Sequence, residues 1–320
     1  MITITAVATR NLLGLFAIPL GFAGLGGVWQ ALRMTQSAPA WPAELAFGIS
    51  VAIWLTLTVM YIAGGLRNRG SFTADREHTI YGPFAAYIPV IGILLASHYV
   101  QYIHNVARGA VVFFVVALAV VAAQLIAHWL SGNVPLTTFH PGYLLPTVAG
   151  AFISSIGLSS SGWHQAAESA FGVGLLFWLI IGTLIFGRLF TGAPLPPILK
   201  PAMSVLVSPP ATAGIAWYIL AGGKMDTGGY LILGILLMMI LVQVLFFAEY
   251  RTLPYSTNFW AFTFPVAASA NYFDRWAVSA QFPLWSFWSW TVSAIATAFI
   301  AALAAATVGA AIRHLRVQPH

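Results

Sequence analysis

The chain has 320 residues, of which 60% are hydrophobic and only 6% charged, with a formal net charge of +6 and no cysteine. A water-facing globular surface carries roughly 25% charged residues, so a soluble domain is excluded. The absence of cysteine excludes a disulfide framework, a thiolate metal site and a catalytic thiol.

The N-terminal apolar run from Asn11 to Gln30 is longer than the roughly 7–15 residues of a signal-peptide core and lacks a small-x-small cleavage pattern, so it reads as a first membrane span. Nine further apolar runs follow. The ten segments lie near 11–33, 45–66, 82–100, 106–130, 142–161, 164–189, 198–221, 227–249, 257–274 and 284–312. Each is close to the about 20 residues a helix needs to cross the hydrocarbon core. The third is the least regular, because Pro83 and Pro89 interrupt it. The intervening loops leave no room for a soluble catalytic or nucleotide-binding domain, so residues 1–320 read as one transmembrane domain.

An even number of spans places both termini on one side. That side receives Arg10, Arg67, Arg69, Arg76, Arg188, Lys200, Arg251, Arg313 and Arg316, and the other receives Arg33, Arg108, Lys224 and Arg275. Nine against four predicts cytoplasmic termini in a cell inner membrane. These basic residues stand singly, so no cluster exists to neutralise a row of phosphates; the lipid bilayer, not nucleic acid, is the expected partner. Trp29, Trp41, Trp129, Trp163, Trp276 and Trp285 fall near span ends, as interfacial anchors do.

Proline falls in alternate spans: Pro19, Pro89, Pro146, Pro209 with Pro210, and Pro265. The interiors of the even-numbered spans have none. Proline removes a helical hydrogen bond and kinks the helix, and in lipid the freed carbonyl must be satisfied by protein or by a water-filled cavity. The alternation predicts an all-α architecture of five helical hairpins, with five kinked helices inside and five straight ones outside. Small residues accompany each proline, giving Ile18, Pro19 and Gly21; Ile88, Pro89 and Gly92; Leu145, Pro146 and Gly150; Pro209, Pro210 and Gly214; and Pro265 as expected pore-lining positions. Close helix packing is the competing use of the same small residues.

The middles of the kinked helices carry no Asp, Glu, Lys, Arg or His. Glu168, Glu249, His98, His104, His128 and His164 lie near span ends and read as interfacial. No HExxH, Walker loop or Gly-x-Ser-x-Gly elbow occurs, so no cofactor, metal or catalytic residue is expected. A conduit without central charges selects by diameter, hydration cost and the field at its mouths, and the basic excess favours anions there. An integral-membrane enzyme would need His or acidic residues clustered at one face, which the scattered histidines do not supply.

Phe16-Ala17-Ile18-Pro19-Leu20-Gly21-Phe22-Ala23-Gly24, Leu144-Leu145-Pro146-Thr147-Val148-Ala149 with Phe152-Ile153-Ser154, Leu195-Pro196 with Ser208-Pro209-Pro210-Ala211, and Asn258-Phe259-Trp260-Ala261-Phe262-Thr263-Phe264 together resemble the TehA and slow-anion-channel family, also called tellurite-resistance/dicarboxylate transporters. The resemblance runs in order over nearly the whole chain. It implies a ten-helix channel for small inorganic anions such as nitrate and chloride, a homotrimer with one pore per subunit, and a phenylalanine gate on the ninth helix at Phe264, with Phe262 as the fallback. It also leaves open a proton-coupled carrier of C4-dicarboxylate, sulfite or tellurite on the same fold.

Overall fold

The computed structural model describes residues 12–68 and 70–317. Arg10 and Arg69, two of the basic residues counted above, lie outside them. Among the described residues every regular element is helical. The ten principal helices are α1 (Ala17–Gln36), α2 (Trp41–Arg67), α3 (Tyr87–Tyr99), α4 (His104–Leu130), α5 (Gly150–Ser160), α6 (His164–Thr191), α7 (Ser208–Leu220), α8 (Thr227–Tyr250), α9 (Thr263–Ser279) and α10 (Trp285–Val317).

The even-numbered helices have 24 to 33 residues, which gives at least about 36 Å at 1.5 Å per residue, enough for a hydrocarbon core about 30 Å thick. The α-helical parts of the odd-numbered spans are shorter. Residues 87–99 alone would reach only about 20 Å. Each shortfall is made up by a preceding leg of different helical type: 3-10 turns at Gly82–Ala86, Pro197–Val207 and Thr257–Phe262, and a π segment at Leu145–Ala149. A 3-10 leg rises about 2 Å per residue, so residues 82–99 together span about 30 Å. In α1 the same break is a turn at Phe16, after which the α-helix begins at Ala17.

These breaks revise the proline expectation. Pro19, Pro89, Pro209, Pro210 and Pro265 occupy the second or third residue of an α-helix, and Pro146 is the second residue of the π segment. The first-turn N–H groups of a helix have no intrahelical partner, so proline there removes no α-helical bond. The prolines mark where helix type changes rather than bending a continuous α-helix. Pro83, which made the third span look irregular, likewise sits at the start of a 3-10 leg.

Among the described residues, nine helical segments are long and apolar enough to cross a membrane, making this a multi-pass membrane protein. Residues 257–279 are less apolar because they carry Asp274 and Arg275; the leg plus α9 still extends about 38 Å. Helices adjacent in sequence pack as α1–α2, α3–α4, α5–α6, α7–α8 and α9–α10. The odd-numbered helices also contact one another in a closed cycle, α1–α3–α5–α7–α9–α1. Burial follows the cycle: 94% of the apolar window over Pro141–Ser160 is buried, against 17% over α4 and α8.

Outer side chains hold inner backbone near the helix-type changes. Ser50 Oγ donates to the Pro19 carbonyl at 2.7 Å, Trp54 Nε1 to Ile88 at 3.0 Å, and Gln243 Nε2 to Met203 at 3.2 Å. A carbonyl freed by irregular backbone in lipid needs such a donor. Glycines let the helices close in. A Cβ on Gly214 would lie 2.1 Å from Tyr272, and one on Gly92 would lie 2.6 Å from Phe114. Trp29 is half-buried and donates to Thr297 Oγ1 on α10 at 3.2 Å. Trp41 and Trp163 remain well exposed.

Candidate functional site

Two cavities lie inside the cycle of odd-numbered helices. The smaller, about 30 Å³, is lined from all five inner segments, by Ala17 and Leu20, Phe84 and Tyr87, Leu145 and Ala149, Val205 and Ser208, and Trp260 and Pro265 among others. It has room for about one or two waters. The larger, about 340 Å³, also draws on all five, by Gly24 and Gln30, Leu94 and His98, Ile153 and Ser159, Thr212 and Ile215, and Ala268, Asn271 and Arg275. Within every inner segment, apart from Phe264 where the two meet, the residues on the larger cavity come later in the chain than those on the smaller. The five segments therefore run parallel from one chamber to the other.

Phe264 borders both chambers and is the one residue they share. Its position follows from the local sequence. Pro265 is the third residue of α9, so Phe264 stands in the first α-helical turn just past the 3-10 leg. The ring is buried and seated against Gly24, where an added Cβ would come within 3.1 Å of Phe264 Cδ2. Phe262 lies elsewhere. Its ring packs edge-on against Tyr250 of α8 at 4.8 Å between centroids and near Phe259, and it borders neither chamber.

Of the other sequence-predicted pore positions, Leu145 and Pro265 line the smaller chamber. Ile18, Pro19, Ile88, Pro89, Pro146, Pro209 and Pro210 border neither chamber. Gly21, Gly92, Gly150 and Gly214 turn toward neighbours: Thr263, Phe114, Leu118 and Tyr272 respectively.

The smaller chamber has no charged lining residue. The larger has two groups that sequence reasoning did not place there. Arg275 Nε donates to Asn271 Oδ1 at 2.8 Å, and Asn271 Nδ2 donates to the Gly27 carbonyl at 2.8 Å. The guanidinium stands over the Tyr218 ring at 5.4 Å, a cation–π arrangement. The i, i+4 spacing of Asn271 and Arg275 puts them on one helix face, the signal that could have revealed the pair. His98, read from sequence as interfacial, is 3% exposed. Its Nε2 lies 3.1 Å from Glu44 Oε2, its Nδ1 lies 3.1 Å from Gln30 Oε1, and its ring stacks on Phe47 at 3.9 Å. Glu44, 54 positions earlier, compensates the burial that makes an unpaired ring costly. A neutral imidazole offers one donor. Gln101 Nε2 lies 3.4 Å from Nδ1, so a neutral ring that donates from Nε2 to Glu44 can accept from an amide nitrogen at Nδ1.

Comparison with known proteins agrees with this geometry. The family profile described as SLAC1, voltage-dependent anion channel, matches residues 13–308. The chain is 22% identical over 259 residues to the tellurite resistance protein TehA homolog of Haemophilus influenzae, covering 81% of this chain and 79% of that one. It is 24% identical over 318 residues to the S-type anion channel SLAH3 of Arabidopsis thaliana, covering 92% of this chain and 47% of the plant protein, so it spans about half of that relative's length. With the guard cell S-type anion channel SLAC1 of Arabidopsis thaliana it shares 28% identity over 127 residues, 39% of this chain and 22% of the other. A profile match over almost the entire chain, on an all-helical membrane fold with a cycle of inner helices, shows that this protein belongs to the voltage-dependent anion channel family.

Proposed function

We propose that this chain is a channel for small monovalent anions, nitrate and chloride, whose path runs through the two chambers and is closed at Phe264. The supporting observation is that Phe264 alone borders both chambers. Residues 257–279 make the tenth crossing, the termini face the cytoplasm at the inner membrane, and the functional unit is a trimer with a path in each subunit. The chamber-lining side chains carry permeation, while the flanking prolines and glycines set how closely the inner helices approach. Most of the lining is apolar and offers few donors to replace lost hydration, so anions that dehydrate easily pass best. In planar bilayers with the reconstituted Phe264→Ala protein, currents across anion gradients should reverse at potentials ranking nitrate above chloride. Absence of anion current in well-folded, reconstituted wild type and Phe264→Ala alike would overturn the reading, and a native mass below three chains would remove the trimer.

One observation favours a proton-coupled carrier of dicarboxylate, sulfite or tellurite as the second reading. His98, held between Glu44 and Gln30, lines the larger chamber, and a titratable group on the path is what proton coupling requires. Uptake driven by an imposed pH gradient, and lost in His98→Gln, would replace the channel reading with this one.

A further inference from the structure

The geometry points to Arg275 as a capture site for an oxyanion, one presenting at least two acceptor oxygens, on the wall of the larger chamber; this rests on the anion-path reading above. Arg275 lies eleven residues beyond Phe264 on α9, about 16 Å along the axis, so the site is separate from the gate. Its Nε is tied to Asn271, and Asn271 is tied to the Gly27 backbone. Two further constraints, the Tyr218 face at 5.4 Å and the chamber wall, fix the plane of the guanidinium. Its Nη groups have no hydrogen-bond partner among the described residues, and Arg275 makes no carboxylate ion pair among them. The neighbouring Asp274 does not line the chamber; its carboxylate accepts from Thr35 Oγ1 at 2.9 Å.

A second, independent feature borders the same space. Ser159 is 8% exposed, lines the larger chamber, and its Oγ has no partner. A buried hydroxyl without a partner is uncommon in a native fold and calls for a ligand or water. A positioned guanidinium edge offers two parallel N–H donors whose spacing matches two oxygens of one anion. A spherical halide offers only one acceptor centre. The chamber, about 340 Å³, accommodates such an anion with part of its hydration.

The test uses nitrate, with chloride at equal ionic strength as the comparison, on purified full-length wild type, Arg275→Gln, Arg275→Lys and Ser159→Ala. Thermal unfolding is followed against anion concentration, because a ligand that binds the folded state raises the midpoint saturably. Nitrate should raise the wild-type midpoint more than chloride does. Arg275→Gln should abolish the difference. Arg275→Lys, which keeps the charge but loses the fork, should need at least tenfold more nitrate, and Ser159→Ala severalfold more. Should Arg275→Gln fail to fold, the lysine variant carries the test alone. An equal response to both anions in wild type, or a nitrate response unchanged in both Arg275 variants, overturns the site. Bilayer currents on the same samples, each repeated with Phe264→Ala added to open the gate, separate the two readings. A nitrate response that depends on Arg275 without conduction in any sample sustains the site and removes the channel. Conduction with an Arg275-independent nitrate-to-chloride ratio and no nitrate response does the reverse.

Discussion

Truncating Phe264 to alanine should join the two chambers into one path. The ring is 7% exposed and separates spaces of about 30 and 340 Å³. An anion passing a closed apolar ring sheds water without gaining a partner, and the effective penalty for desolvating an ion in protein is several kcal/mol. Each 1.4 kcal/mol removed from a barrier is worth tenfold in rate. Relief of even about 4 kcal/mol would therefore raise current about a thousandfold, and tenfold is the smallest increase consistent with a gate. Stability should suffer less than the about 3–5 kcal/mol lost when an enclosed Phe becomes Ala, because two sides of this ring already face space rather than packed atoms. The assay is anion current per reconstituted channel, measured beside thermal unfolding of the same preparation, in Phe264→Leu and Phe264→Ala. Current should rise in that order. Phe262→Ala serves as the control: its ring packs on Tyr250, so its loss should lower stability and leave current unchanged. Unchanged current in folded Phe264→Ala would refute the reasoning. Current released by Phe262→Ala instead would transfer the gate to that residue.

Gly214→Ala should lower stability by about 1–3 kcal/mol through overpacking, because its Cβ would sit 2.1 Å from Tyr272 Cε1; a wild-type melting temperature would show that Tyr272 has room to move. Acid should destabilise the fold through His140, whose ring lies in the loop before the fifth span, accepts from the Gly142 N–H and donates to the Ile80 carbonyl. Burial pushes its imidazole from 6.5 down to about 4, so the unfolded chain binds a proton that the folded chain refuses. Stability should thus fall by about 3 kcal/mol as pH drops from about 6.5 to about 4, and a His140→Asn melting profile with the same slope over that window would exclude this residue as the cause. Because the wild type has no cysteine, a single cysteine placed near the C-terminus should resist an impermeant thiol reagent added outside intact cells; labelling there would invert the orientation.

The spans and their alternation were legible because hydropathy and proline act locally. A run of twenty apolar residues has no aqueous alternative, and a proline forbids its own N–H bond wherever it stands. The helix types were not legible, since 3-10, π and α legs differ in hydrogen-bond register rather than composition. The charged wall of the larger chamber was hidden for another reason. Arg275 was counted as a loop-side charge by its distance from the apolar run, yet Asn271, Gly27 and Tyr218 hold it against the chamber. His98 was judged interfacial on the cost of burying it alone. That cost is offset by Glu44 on the preceding hairpin, and no local pattern announces a pairing across 54 positions.

Glycine shows where the pattern reading stops. A small residue beside an inner-helix proline can face a void or a tightly packed neighbour, and its sequence signature is the same in either case. Gly21, Gly92, Gly150 and Gly214 each meet a neighbouring side chain, and a Cβ at any of them would come within 3 Å of it. Those contacts bring inner helices against each other and against the outer layer, so these glycines influence the chambers only through helix spacing. Gly24 differs. Its missing side chain leaves the seat for Phe264, since a Cβ there would lie 3.0 Å from Ala267 Cβ and 3.1 Å from Phe264 Cδ2. One glycine on the first inner helix and one phenylalanine on the fifth thus meet across the cycle, at the boundary between the two chambers.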